Sequence, residues 1–214
     1  MKTKTFKKLY HIGLMIGRQE GRLHRRTTSS DEAHCLSVSE HPDAWRRIAK
    51  IGGYPLWELT KPGNAFLHAN ALKKAERKLI EDWAVKEGFA QKGTLFQTWG
   101  TDENDEPTFG LYLTREEAVT ELDEGADEAS DIKEVPAILP TEALNAYCEQ
   151  KVTFVHVEEM IQLCYADKVL GLDGVFWNAP LDPYTYSAPR AGILPHKLAE
   201  WVVTKVSEAP RRAA

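Results

Sequence analysis

"LYHIG", residues 9–13, is a short apolar run with one imidazole in it and a glycine at its end. Read outward, it is the close of a first strand, TFKKLYHIG (5–13). The imidazole stands one residue after a tyrosine and two before the glycine, and it has two readings. It is either a hydrogen-bonded polar residue at a strand end, or a ligand-binding group that the strand delivers into a cleft. The same choice returns at every candidate residue further along the chain.

The chain has 214 residues, 43% of them hydrophobic, and a formal net charge of −5. That is enough apolar material for a substantial core. Residues 1–208 read as one domain with an insertion around 100–150, and 209–214 as a disordered tail. The charge is unevenly spread. Residues 1–30 hold Lys2, Lys4, Lys7, Lys8, Arg18, Arg22, Arg25 and Arg26 against Glu20 alone, whereas residues 102–134 hold thirteen acids against Arg115 and Lys133. Both can be solvated faces, or a basic and an acidic docking region. Cys35, Cys148 and Cys164 are far apart, with no CxxC pair, which points to a reduced cytoplasmic protein without a zinc site. MKTKTFKKLY lacks the apolar core of a signal peptide, and no run is long enough to cross a membrane.

CLSVS (35–39) alternates and reads as a second strand, after a polar and basic loop at 17–34. EHPDAWRRIAKIGG (40–53) reads as a helix capped by Ser39 or His41, with Pro42 in its first turn, Gly52-Gly53 at its end, and Trp45, Ile48 and Ala49 buried. LWEL (56–59) is a strand. Residues 68–88 read as the longest helix, with Leu72, Ala75, Leu79 and Trp83 on its core face. TLFQTW (94–99) and TFGLYL (108–113) read as a hairpin around the turn TDENDEP (101–107). Thr114 and Glu117 form a capping box for a helix from Arg115 to Leu122. The acidic stretch 123–134 reads as weakly ordered. TEALNAYCEQ (141–150) is a helix, VTFVHV (152–157) a strand, EEMIQLCYADKVLG (158–171) a helix and DGVFW (173–177) a strand. AGIL (191–194) and HKLAEWVVTK (196–205) close the domain as strand and helix. Strands and helices mix without regular alternation, which gives an α+β class.

Three motifs together resemble the ADP-ribosyltransferase superfamily. They are the Tyr10-His11 strand, the hydroxyl-bearing strand and helix CLSVSEHPDAW, and the late stretch GLDGVFWNAPLDPYTYSAPRAGI (171–193). The resemblance covers about a third of the chain. It implies a strongly curved, split β-sheet holding NAD in a cleft, with flanking helices and an inserted helical and acidic segment. It implies a transferase that moves ADP-ribose from NAD to a protein or nucleic-acid target, as mobile-element, phage or toxin-type effectors do. Tyr10, His11, Ser37 and Ser39 then contact NAD, Tyr54 or Trp57 stacks on nicotinamide, Asn178 orients a ribose, and Arg18, Arg22 or Arg190 pairs with phosphate. The family's late glutamate has no counterpart from Leu170 to Leu198. Asp182, in the loop, and Asp173, before a glycine, are the available acids, and Asp182 with His11 is the catalytic pair the resemblance implies. Without a working acid, the same scaffold is a binding or inhibitor protein, for which the acidic middle is a docking surface.

Overall fold

The computed structural model describes residues 1–15, 35–48, 54–101, 107–120, 132–149, 151–178 and 188–207. The class is α+β, in three sheets. The first holds β1 (Thr3–Lys4), β3 (Leu36–Val38), β5 (Phe66–His68), β9 (Gly174–Trp177) and β10 (Arg190–Ile193), in the order β1-β5-β9-β10-β3. Its pairs are antiparallel except β5 with β9. The second is β2 (Leu9–Ile12), β4 (Leu56–Thr60) and β11 (Val202–Ser207), with β4 in the centre. The third is β7 (Pro107–Tyr112), β6 (Ala90–Thr101) and β8 (Ile132–Pro140), with β6 in the centre. Five helices accompany them among the described residues: α1 (Pro42–Ile48), α2 (Lys74–Lys86), α3 (Arg115–Thr120), α4 (Glu142–Cys148) and α5 (Val157–Lys168).

Strand alternation explains the layering. In the first sheet Leu67 and Val175 enter a core shared with Ile80 and Ala84 of α2 and with Met160, Ile161, Leu163 and Cys164 of α5. Their neighbours Phe66 and Phe176 point the other way, into a second core with Leu9, Leu36, Val38, Leu59, Ile193 and Trp201. The first sheet is therefore covered by helices on one face and by the second sheet on the other. A strand buried on both sides reads as unbroken apolar sequence, which is why GVFW carries no polar residue. Phe6 sits edge-on to both Phe66 and Phe176, with ring centres 5.2 and 5.3 Å away.

Two buried polar side chains fasten the turn before β5. Asn64 accepts a hydrogen bond from the Phe6 amide (2.9 Å) and donates to the carbonyls of Phe6 (2.8 Å) and Lys61 (2.6 Å). Asp173, 4% exposed, accepts from the Ala65 amide (2.9 Å) and from Lys61 Nζ (2.5 Å). Lys61 also reaches Glu200 Oε2 at 2.6 Å. Burial works against the Lys61 charge, but the hydrogen bonds to Asp173 and Glu200 prevail and raise its pKa above the ordinary lysine value. Immediately after Asp173, a Cβ on Gly174 would collide with the carbonyl oxygen of Gly192, so β9 and β10 approach only because Gly174 has none.

Several expected elements differ. VTFVHV forms no strand; Thr153 starts a tight turn and Val157 opens α5. HKLAEWVVTK is not a helix but a 3₁₀ turn, Pro195–Glu200, followed by β11. The helix expected from 68 begins at Lys74, because Phe66–His68 pairs with β9 instead. Leu79 on that helix is 54% exposed, and Ile80 and Ala84 are buried in its place. Residues 132–140 form a nine-residue strand where weak order was expected at their start. The strand expected over 5–13 is confined to Leu9–Ile12, with Thr3–Lys4 a separate strand. The ends of the two helices expected at 40–53 and 115–122, and the acidic stretch up to Asp131, lie outside the described residues, as do the whole 17–34 loop and the 209–214 tail.

Removing Asp173 leaves the Lys61 charge half-buried and the Ala65 amide without its acceptor. Asp173→Ala is expected to lower unfolding free energy by about 3 kcal/mol, and Glu200→Gln, at the solvent-screened end of the same bridge, by much less; urea denaturation of the two variants checks this. His68 has its pKa lowered from the ordinary 6.5 by burial and by Lys2 and Lys4. Its folded value lies below its unfolded one, so its contribution to stability is present above pH 6.5 and is lost as pH falls through the folded value. Unfolding free energy measured from pH 7 down to 5 is expected to fall less steeply in His68→Gln than in the unaltered chain.

Candidate functional site

β2 places His11 two residues from the core residue Leu9, and both are buried. The register of the second sheet aligns Leu9 with Leu59 and Val203, and His11 with Trp57 and Lys205. The face that is aliphatic at one level thus becomes, one pair along, a row of imidazole, indole and ammonium across three strands. Lys205 Nζ lies 5.8 Å from the Trp57 ring centre, within cation–π range.

The row is held from the backbone. His11 Nδ1 is 2.9 Å from the Ser37 carbonyl oxygen. A carbonyl only accepts, so Nδ1 carries the proton, and in the uncharged ring Nε2 is the acceptor. Trp57 Nε1 donates to the Gly13 carbonyl at 2.8 Å, and the Gly13 amide donates to Pro55 at 3.1 Å. Gly13 has φ +149°, and a Cβ there would stand 2.7 Å from His11 Nε2. The glycine that ends LYHIG is therefore the residue that leaves room for the imidazole.

The remaining predicted residues are distributed on both faces. Tyr10 is on the outer face of β2, where its hydroxyl donates to Glu58 Oε2 (3.4 Å), the oxygen that also takes Lys8 Nζ at 2.9 Å. That hydrogen bond raises the Lys8 pKa. Leu36 and Val38 enter the inter-sheet core, so Ser37 between them faces away from it. Ser37 serves His11 through its carbonyl, not its hydroxyl. Ser39 donates from Oγ to the Pro189 carbonyl at 2.6 Å and accepts from the His41 amide at 3.0 Å. Trp45 Nε1 donates to the same Pro189 oxygen at 3.2 Å. The next residue, Arg190, lies over the Trp177 ring at 5.0 Å and reaches Glu159 Oε1 of α5 at 3.4 Å. Ser39 and Arg190 thus belong to a second assembly, beside the helices, joined to the His11 row through the hydrogen-bonded strands β2, β3 and β10.

Tyr54 is 49% exposed ahead of β4. Asn178 is exposed just past β9, its amide donating to Asn70 Oδ1 at 2.6 Å. Asp173 is fixed in the Lys61 bridge, a structural role that removes it from the choice of acids. Asp182, Arg18 and Arg22 lie outside the described residues. Burial pushes the thiols of Cys148 and Cys164 up to about 12, so neither is a ready nucleophile. Among the described residues no three His, Cys, Asp or Glu side chains are placed to hold a metal, and no helix is long and apolar enough to cross a membrane.

Sequence reading did not single out Lys205 or Trp177. The signal for Lys205 was the period-two pattern of VVTKVS, which a helical reading of 196–205 concealed. No protein-family model, curated protein or solved structure matches the chain.

Gly13→Ala is expected to cost about 1–3 kcal/mol, from an unfavourable φ and an overfilled contact, and to shift the His11 ring-proton resonances. Paired urea unfolding and NMR spectra of the variant check both effects.

Proposed function

We propose that the chain binds NAD against the His11–Trp57–Lys205 row and transfers its ADP-ribosyl group to a macromolecule. The observation that supports this reading is the buried imidazole, fixed in one tautomer by the Ser37 carbonyl at the seam between two sheets. Each member of the row has a part that suits the dinucleotide. His11 takes a ribose hydroxyl, the Trp57 indole stacks on nicotinamide, and the Lys205 ammonium pairs with a diphosphate oxygen. Breaking the nicotinamide–ribose bond builds positive charge on the ribose, as in glycoside cleavage, and a carboxylate beside it lowers the barrier. The reading gives that part to Asp182. Nicotinamide leaves with the electron pair of the broken bond, and the target's nucleophile forms the new bond to the anomeric carbon and gives up a proton.

One observation favours a second reading, a non-catalytic binding protein on this scaffold: Glu58, on the strand paired with β2, and Asp173, just ahead of β9, are both held in ion pairs with lysines.

Isothermal titration with NAD, followed by nicotinamide release in the presence of a cell lysate, separates the two. Binding that falls at least about tenfold in His11→Ala, with nicotinamide release that disappears in Asp182→Asn, is the expected result. Binding without release in the unaltered chain supports the non-catalytic protein. An absence of NAD binding removes the nucleotide from both.

A further inference from the structure

At the β1 edge of the first sheet, the face that packs on the second sheet changes character. Lys4 pairs with Phe66 and Thr3 with Leu67, and the His68 amide donates to the Lys2 carbonyl at 3.1 Å. β5 in turn aligns His68 with Phe176 of β9. Paired residues share a face, so Lys2, His68 and Phe176 form one row, and Lys4 stands with Phe66 in the next. The face that is core at Phe66 thus becomes cationic at His68 and Lys2. Two of the cationic side chains are held by rings. His68 packs on Phe176 with ring centres 5.1 Å apart. Lys4 Nζ lies 5.8 Å from the Phe176 ring centre and 5.3 Å from that of Phe6. The Lys4 ammonium and the imidazole therefore converge on one aromatic ring.

Little balances this charge. Among the described residues Lys2 has no ion-pair partner, the His68 ring has no hydrogen-bond partner, and Lys4 has Glu40 alone, at 3.7 Å. Arg77 and Glu158, from the helices behind the sheet, pair with each other. Burial, and after it the charges of Lys2 and Lys4, holds the imidazole below its ordinary pKa. An anion beside the two ammonium groups reverses that effect, because it favours the protonated ring. Two point charges and one directed N–H suit a phosphate, which carries up to two negative charges and three strong acceptor oxygens. A carboxylate offers one charge and two oxygens. We propose that Lys2, Lys4 and His68 form a binding site for one phosphate group, either the free ion or the phosphomonoester end of a small molecule. The ammonium groups neutralise its charge, and the imidazole takes up a proton from solvent and donates it in a hydrogen bond. The site lies on the first sheet, apart from the His11 row of the second, and its test contains no NAD.

The test is an NMR titration of the His68 ring against pH, in sodium chloride and in sodium phosphate of equal ionic strength, with the full chain. The resonance is assigned by its absence from the spectrum of His68→Gln. The expected result is a titration midpoint at least about half a pH unit higher in phosphate than in chloride. In Lys2→Gln/Lys4→Gln the midpoint in chloride is expected to rise, because the two ammonium groups no longer oppose the imidazolium, and the further rise in phosphate is expected to vanish. Equal midpoints in phosphate and chloride for the unaltered chain overturn the proposal. A phosphate effect of the same size in the double variant overturns it as well, since the anion then sits elsewhere. So does a midpoint in chloride that the double variant leaves unmoved, which separates the lysines from the ring. A repeat with methyl phosphate distinguishes the sources: an equal rise supports a phosphomonoester ligand, and a rise with inorganic phosphate alone supports the free ion.

Discussion

Two hydrogen bonds hold the molecule's central seam. Tyr10 and Ser39 exchange amide and carbonyl in both directions at 2.9 Å, where the edge of the second sheet meets the edge of the first. One antiparallel bridge is the least pairing that can join two sheets, and it lets them turn sharply against each other. The turn brings Leu9 and Leu59 over Leu36, Val38 and Phe66, so that both sheets close on one core. It also fixes His11. The residue after Tyr10 is carried beside the strand that contains Ser39, within reach of the Ser37 carbonyl. A slip of one residue in β2 would place His11 outside and Tyr10 in the core, so the register of the seam and the position of the imidazole are one constraint.

The Lys61 bridge stabilises the opposite side of the same core. Asp173 links the turn before β5 to the start of β9, which are parallel neighbours separated by more than a hundred residues. Long-range parallel pairing has no local turn to set its register. A buried carboxylate that receives one backbone amide and one ammonium sets it instead. This accounts for an aspartate before the glycine in LDG without any catalytic role. Asn64 does the same for Phe6. These polar side chains lie at the ends of strands, where ladder hydrogen bonds run out and backbone groups still need partners.

Local patterns in the sequence revealed those elements whose cause is local. The hairpin of β6 and β7, the capping box at Thr114 and Glu117, and the strands LYHI, LSV and GVFW are all readable from alternation, turn residues and caps. β11 was hidden because Leu198, Trp201 and Val202 mimic a helical stripe, and β8 because Pro136 and Pro140 interrupt a strand reading. Those prolines are tolerated because β8 is an edge strand that needs hydrogen bonds on only one side. β5 is not visible locally, and its last residue, His68, falls inside the helix expected at 68–88, since its pairing partner is the distant β9. The candidate site suffers the same limit. His11 stood out as an imidazole in an apolar strand, but its companions Trp57 and Lys205 are selected only by the register of three distant strands.

Alternation also divides the hydroxyl and arginine residues from the imidazole. Sequence spacing gathers Ser37, Ser39 and Arg190 with His11, and the strand neighbourhood agrees, since β2, β3 and β10 are consecutive. Side-chain direction does not agree. Leu36 and Val38 claim the inter-sheet face of β3, which leaves Ser37 on the opposite face, and Arg190 packs on Trp177 and Glu159 beside the helices. A ligand contacting both groups must therefore pass over the seam's edge and not lie on one face of a sheet. Only an extended molecule could touch the indole and imidazole of the second sheet together with the guanidinium and indole of the first. A small compact ligand would reach one group alone.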